Sequence, residues 1–164
     1  MISVIDLADG GDLPSPPPTA EPDPLREPDA LAEAQLLDCR ASPLTSTIAL
    51  LFELRPAPRF DEGTTALLVV GGLRSCRWSA GTAPVPPAAM TVVSGVPGRL
   101  DELVRAEFSF LPDARLEVVG ERAWFYVLEV EDAGDAPRTP AREVRGDLPP
   151  WGSPCTVLRA SGSG

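Results

Sequence analysis

The sequence predicts a mainly β fold, in which residues 36–130 form a single antiparallel sheet domain, either an open sheet or a partly closed barrel. Across this range, short apolar runs recur about every ten to fifteen residues and are separated by Gly and Pro. The runs are rich in Val, Leu, Phe and Thr, of which all but Leu favour strands. Apolar residues make up 43% of the 164-residue chain, which is enough for one buried core.

Residues 1–35 are predicted to be an acidic, proline-rich leader and linker. They hold eight acidic residues and one arginine, and therefore −7 of the chain's net charge of −10. The apolar segment Met1–Leu7 is expected to add an edge strand or to dock on the surface. Pro28 followed by Asp29–Gln35 favours one or two turns of helix. The prolines between these segments predict a linker, so the fold includes a short helix and long irregular ends.

The first strands of the predicted domain lie at Leu36–Arg40 and Thr47–Arg55. The second of these is apolar on both faces, which places it centrally in the sheet. Gly71-Gly72 then predicts a tight hairpin turn between the runs 65–70 and 73–78, because both glycines can take positive φ. That pairing would place four side chains on one side of the sheet: Leu67, Val69, Cys76 and Trp78.

Four further strands are expected after a proline-containing loop at residues 81–89. Clean alternation from Val104 to Phe110 predicts a strand with one buried face. Turns at Pro112-Asp113 and Gly120–Arg122 would join the last three strands into a meander. The four predicted strands are residues 90–96, 104–110, 115–119 and 123–130.

Residues 131–164 are predicted to be a proline-rich, partly disordered tail. Trp151 follows two prolines there. It is expected either to fold back and cap the sheet or to act as a peptide anchor, and the cap is favoured because an isolated exposed Trp is unusual.

The composition excludes several classes of site. The chain has no histidine, and reading the sequence shows that every basic residue is an arginine. An imidazole metal ligand and a Ser-His or Cys-His pair are therefore excluded. Three widely spaced cysteines favour neither a disulfide framework nor a zinc site. We predict no catalytic residue, cofactor or metal ion.

The distribution of charged and apolar residues bears on partners and location. The arginines are scattered among acidic residues, which argues against nucleic-acid binding. No stretch approaches the ~20 apolar residues of a membrane helix. The sequence therefore predicts a soluble, cytoplasmic protein that contacts neither nucleic acid nor membrane.

Candidate protein-binding residues are aromatic or basic. Trp124, Phe125 and Tyr126 are adjacent, so Phe125 faces one side of its strand and the other two face the opposite side. One aromatic face is then a binding surface or a second core layer. Trp151 is a further candidate, and Arg55 with Arg59 forms a rim for an acidic partner. The expected partner is another protein, and the acidic leader makes a basic one a candidate.

Several stretches resemble small uncharacterised actinobacterial proteins. They are residues 38–40, 51–55, 68–70, 78–79, 91–94 and 123–126. The order of an Asp-containing strand, a long apolar strand and a late aromatic strand is also distantly similar to immunity proteins of bacterial toxin systems, of the immunity protein 50 type. This resemblance implies a β-rich cytosolic protein that neutralises a toxin by masking it, without catalytic residues.

Three functional hypotheses follow. The favoured one is a non-enzymatic protein-binding module that acts through an aromatic or acidic sheet surface. The second is a small histidine-free enzyme of the biosynthetic cyclase type, with carboxylates, Tyr126 or arginines as acid or base, or a ligand-binding barrel. A closed, polar-lined pocket of roughly 300 Å³ or more would favour this second hypothesis. The third is a structural subunit of a larger particle with terminal docking arms.

Overall fold

A computed structural model describes residues 2–9, 22–81, 89–131, 133–134 and 151–163. Parts of the predicted linker (10–21), loop (82–88) and tail (135–150) lie outside the described residues. The secondary-structure elements are β1 (Ile2–Ser3), α1 (Val4–Ala8), β2 (Gln35–Ser42), β3 (Thr47–Glu53), β4 (Thr65–Ala80), β5 (Met90–Leu100), β6 (Leu103–Phe110), β7 (Ala114–Val130) and β8 (Pro154–Ser163). The prediction of a mainly β, antiparallel fold with a short helix is confirmed.

The eight strands form one antiparallel sheet in the order β1-β8-β7-β4-β3-β2-β5-β6. Strand β6 also pairs with β7, so β2 to β7 form a closed circuit of neighbours. The pairing of β2 with β5 is short and consists of two residue pairs, Gln35 with Thr91 and Leu36 with Met90. One side of each strand in the circuit therefore faces inward, and the other faces outward.

The inward side holds a large apolar cluster, which we call the interior core. All six strands of the circuit contribute to it. Phe52 of β3 and Phe108 of β6 meet there with ring centroids 5.7 Å apart. The alternation predicted from Val104 to Phe110 is confirmed, because every second side chain of β6 is buried. The prediction that β3 is central is also confirmed, since all seven of its residues are buried between β2 and β4.

The outward side of β3, β4 and β7 carries a second apolar cluster, which we call the outer core. Leu51, Leu67 and Tyr126 belong to it. Helix α1 covers this cluster with Val4 and Leu7, both of which are fully buried. The sheet thus has an apolar layer on each side, and the N-terminal segment closes the outer one.

Both ends of the chain join the sheet. Ile2 and Ser3 pair with Cys155 and Pro154 of β8, and β8 pairs with the second half of β7. The backbone nitrogen of Ile5 donates to the carbonyl oxygen of Trp151 at 2.8 Å. The sheet therefore includes residues on both sides of the predicted range 36–130.

The hairpin predicted at Gly71-Gly72 is wrong. Residues 65–80 form one continuous strand, and residues 114–130 form another, so the predicted turn at 120–122 is also absent from the described chain. The glycines lie where these two long strands pass each other. A Cβ atom at Gly120 would overlap Val70 and approach the Gly71 carbonyl oxygen to 2.9 Å. Glycine here permits close backbone contact at an irregularity in the pairing rather than a chain reversal.

The pairing of β4 with β7 also corrects the predicted faces. Leu67 and Val69 belong to the outer core. Cys76 and Trp78 lie opposite Val118 and Leu116 of the interior core, and therefore face inward. The four side chains do not share one side of the sheet.

The short helix forms at Val4–Ala8 and not at residues 29–35, of which 29–33 are turns and Gln35 begins β2. Asp29 and Glu33 have φ values of 58° and 69°, which interrupt a right-handed helix. The backbone nitrogen of Glu33 donates to the carbonyl oxygen of Val92 at 2.9 Å. Pairing with β5 therefore overrides the helix propensity of this segment.

Candidate functional site

A pocket of about 330 Å³ opens between β2, the second half of β4 and the start of β5. Its wall is mostly apolar and includes three side chains that carry sulfur. The lining residues are Leu36, Leu37, Asp38, Cys39, Cys76, Trp78, Met90 and Leu116. Leu36 and Leu116 are members of the interior core, so the pocket is an extension of that core toward solvent.

The pocket arises from unequal strand lengths. Strand β3 pairs with β4 up to Thr47, which lies opposite Gly71. The second half of β4 continues beside β7 to Ala80. Because β3 does not accompany this second half, inward side chains of β4 remain accessible.

Trp78 forms one wall of the pocket. It lies opposite Leu116, and its ring centroid is 5.9 Å from that of Phe110. The side of the ring away from Phe110 is open, since Trp78 is 48% exposed. An aromatic surface is therefore available to a bound molecule.

Strand β2 forms the facing wall with the help of an irregularity. Its register against β3 shifts between Leu36 and Asp38, and the consecutive residues Leu36 and Leu37 are both buried. After the shift, Cys39 pairs with Leu50 of the interior core and faces inward. The irregularity thus lets Leu36 and Cys39 both face inward at the pocket, while Leu37 and Asp38 between them face the outer core.

The two thiols of the pocket are not activated. Burial raises the pKa of Cys39 to about 11, with further contributions from the nearby thiol of Cys76 and from the Asp38 carboxylate. Burial also raises the pKa of Cys76. Both thiols are therefore protonated near neutral pH, which keeps the pocket wall uncharged at these positions and disfavours nucleophilic chemistry.

Asp38 is the one charged residue among the described residues that line the pocket, but its side chain faces outward, because Asp38 lies opposite Leu51 of the outer core. One carboxylate oxygen accepts a hydrogen bond from the backbone nitrogen of Cys39 at 2.9 Å. The other accepts one from the indole nitrogen of Trp151 at 2.8 Å. These two contacts hold the carboxylate on the outer-core side of β2.

The three aromatic residues predicted as binding residues meet at the outer core. Tyr126 is 4% exposed and belongs to this core, while Trp124 and Trp151 are half-buried against it. The guanidinium of Arg122 lies 5.4 Å from the centre of a Trp124 ring. Of the alternatives stated above, the structure shows a second core layer, and Trp151 caps it.

The two predicted arginines form ion pairs within the chain. Arg55 contacts Glu53 through two nitrogens, at 2.7 and 2.9 Å. Arg59 contacts Glu27 at 2.8 Å. Neither arginine lines the pocket.

Sequence reasoning did not identify the pocket residues Cys39, Cys76, Trp78 and Met90 as members of a site. One available signal was sulfur, because this pocket gathers three of the chain's five Cys and Met residues. The decisive feature is the difference in length between β3 and β4, which hydrophobic periodicity does not reveal.

The described residues contain no group of three or more His, Cys, Asp or Glu side chains arranged to hold a metal ion. None of their helices has the length and apolar character needed to cross a membrane. No protein family, curated protein or solved structure with which the chain was compared matches it.

Proposed function

We propose that this chain is a non-enzymatic binding protein whose pocket between β2 and β4 takes a small apolar molecule. The observation that carries the proposal is a pocket of about 330 Å³ that continues the interior core to the surface. Ligand sites occupy roughly 300–1,000 Å³ and are mainly apolar with few polar groups. The pocket lies at the small end of this range, so a molecule with a single ring fits it.

The lining favours binding over catalysis. Its two thiols are protonated, and the carboxylate of Asp38 faces the outer core, where it accepts two hydrogen bonds. Affinity would come from the apolar area that a ligand and the walls remove from water, including the open side of Trp78. The pocket is open and mostly apolar, in contrast to the closed, polar-lined cavity expected of the enzyme hypothesis.

The proposal is tested by titrating the full chain with uncharged apolar molecules, such as 2-phenylethanol, indole and cyclohexanol. Amide signals are followed by nuclear magnetic resonance. We expect saturable shifts that centre on Cys39, Cys76 and Trp78. Cys76→Phe fills the pocket and should abolish them.

Ser79→Phe is the matched control, because Ser79 is exposed on the same strand and lies opposite Arg115 on its outward side. This variant should bind like the original chain. Equal binding by Cys76→Phe, or no saturable shift with any of the three molecules, would overturn the proposal.

Protein binding is a second candidate function, supported by exposed apolar side chains on β5. Val93, Val96 and Leu100 are 50, 51 and 53% exposed. Such a patch is typical of an interface when its members are contiguous. In this proposal the partner is a protein such as a toxin, as the resemblance to immunity proteins implies.

Co-purification with the product of the adjacent gene tests this second candidate. Val96→Glu should abolish the complex, whereas Leu44→Glu, at a residue 98% exposed in another part of the fold, should not. A complex that survives Val96→Glu would exclude this surface. Self-assembly of the chain alone in sizing experiments would favour the particle-subunit hypothesis instead.

We also propose that the protein acts in the cytoplasm. Its three cysteines are all free. Unpaired thiols are typical of reducing compartments. Fractionation of the source cells, with recovery of the chain in the cytosolic fraction, is the expected result.

A further inference from the structure

Three side chains that carry sulfur reach the pocket from three different strands. Cys39 of β2 lies opposite Leu50 of the interior core and therefore faces inward. Cys76 of β4 faces inward as well, because it lies opposite Val118 of the same core. Met90, at the start of β5, packs against this core. The sheet thus gathers two thiols and a thioether around the same pocket.

The two thiols are close to each other and accessible. Burial is the largest cause of the raised pKa of Cys39, and the thiol of Cys76 is the second. One thiol acts on another in this way only over a short distance. Both cysteines are free, and both are accessible to solvent. A small ion that enters the pocket from solvent therefore meets both thiols.

The donor atoms of the pocket are soft. The chain has no histidine, and the carboxylate of Asp38 faces the outer core, where Trp151 binds it. Zinc sites usually take four ligands from nitrogen, sulfur and oxygen, and the described lining offers three sulfur atoms only. Thiolate and thioether sulfur select monovalent copper, Cu(I). The lining therefore favours Cu(I) over zinc.

We propose that the pocket binds a Cu(I) ion through the sulfur atoms of Cys39, Cys76 and Met90. The S–H bonds of the two cysteines break and two Cu–S bonds form, while both protons pass to solvent and copper stays monovalent. The Met90 thioether adds a neutral sulfur ligand and loses no proton. This inference goes beyond the proposed binding of an apolar molecule, because it concerns the sulfur atoms rather than the apolar walls.

Competition with the chromogenic chelator bicinchoninate tests the inference. The full chain is kept reduced and free of oxygen, and it is added to the coloured complex of Cu(I) with the chelator. We expect the chain to remove one Cu(I) ion per molecule, and equimolar Zn(II) should not displace the ion. X-ray absorption at the copper edge should show sulfur neighbours only.

Matched alanine variants locate the site. Cys39→Ala and Cys76→Ala each remove one thiol and should abolish the transfer of Cu(I) to the chain. Cys155→Ala makes the same change in the outer core, at a residue that does not line the pocket, and should bind Cu(I) like the original chain. Met90→Leu keeps an apolar side chain without sulfur and should weaken binding. Circular dichroism shows whether each variant is folded.

The X-ray absorption measurement uses the original chain and so does not depend on the folding of any variant. Nitrogen or oxygen neighbours of copper, or no transfer of Cu(I) to the original chain, would overturn the inference. Undiminished binding by Cys39→Ala, Cys76→Ala or Met90→Leu would overturn the three-sulfur site. These measurements contain no apolar molecule, so a negative result leaves the proposed function in place.

Discussion

The indole nitrogen of Trp151 lies 2.8 Å from a carboxylate oxygen of Asp38 and donates a hydrogen bond to it. The two residues are 113 positions apart in the sequence. This bond joins the segment before β8 to the strand that carries the pocket, and Trp151 also packs on the outer core. Asp38 therefore fastens Trp151, the cap of the outer core, to strand β2.

Loss of this hydrogen bond should destabilise the fold. Trp151→Phe keeps an aromatic ring but removes the donor, and we expect it to lower the free energy of unfolding by about 1.5–3 kcal/mol, as for a hydrogen bond to a charged group. Urea denaturation followed by circular dichroism measures the change. Trp124→Phe is the control, since Trp124 is half-buried on the same core and does not bind Asp38. Equal losses in the two variants would show that ring size matters and the hydrogen bond does not.

Gly120 should tolerate no side chain. Its Cβ would overlap Val70 and the backbone of Gly71, so Gly120→Ala must push β4 and β7 apart. We expect a loss of about 1–3 kcal/mol in thermal or urea unfolding, the usual cost of overpacking. Gly98→Ala is the matched control, because a Cβ at this strand glycine meets no atom within 4 Å. A Gly120→Ala protein as stable as the control would contradict the close approach of the strands.

The thiol of Cys39 should be slow to react at neutral pH. Since its pKa is raised to about 11, the alkylation rate should rise about tenfold per pH unit from pH 8 to 10 without levelling off. Iodoacetamide labelling with peptide mass spectrometry gives the rate at this cysteine. The same peptide from urea-unfolded chain should level off near the ordinary thiol pKa. A plateau near pH 9 in the folded chain would exclude the raised pKa.

The start of helix α1 should contribute to stability in a pH-dependent manner. The side chain and backbone nitrogen of Ser3 donate to the Asp6 carboxylate at 2.6 and 2.9 Å, and these bonds lower the pKa of Asp6. Because the folded-state pKa is depressed, the contribution is complete above the unfolded pKa and is lost as pH falls through the folded pKa. Asp6→Asn should therefore lower the urea midpoint at pH 7 and approach the original chain in acid.

Measurement of urea midpoints at a series of pH values checks this prediction. Asp9→Asn removes an exposed acid just after the helix and serves as the control. A difference between Asp6→Asn and the original chain that grows toward low pH would have the wrong sign.

Hydrophobic periodicity predicts well the strands whose burial pattern is the same along their whole length. In β6 one face meets the interior core and the other is only partly buried, so alternation identifies it. In β3 every residue is buried, and the continuous apolar run shows it. In these strands, whether a side chain is buried follows from its place in the alternating or continuous apolar pattern of the same strand.

The glycines show where sequence reasoning fails. Gly71-Gly72 has the composition of a hairpin turn, yet the same freedom serves a close crossing of two long strands. The choice depends on Gly120 in β7, about fifty residues later, whose missing side chain lets the backbones approach. A local pattern cannot distinguish these uses because the distant strand decides between them.

The sequence by itself determined the β class, the central strand, the opposite facing of Phe125 and its two aromatic neighbours, and the absence of histidine chemistry. These depend on composition and on the two-residue period of a strand. Tertiary structure alone decided that Tyr126 belongs to a second core and that Cys39, Cys76 and Trp78 surround one pocket. The physical reason is that burial and pocket formation depend on which strands are neighbours and where each ends, and those are properties of non-local pairing.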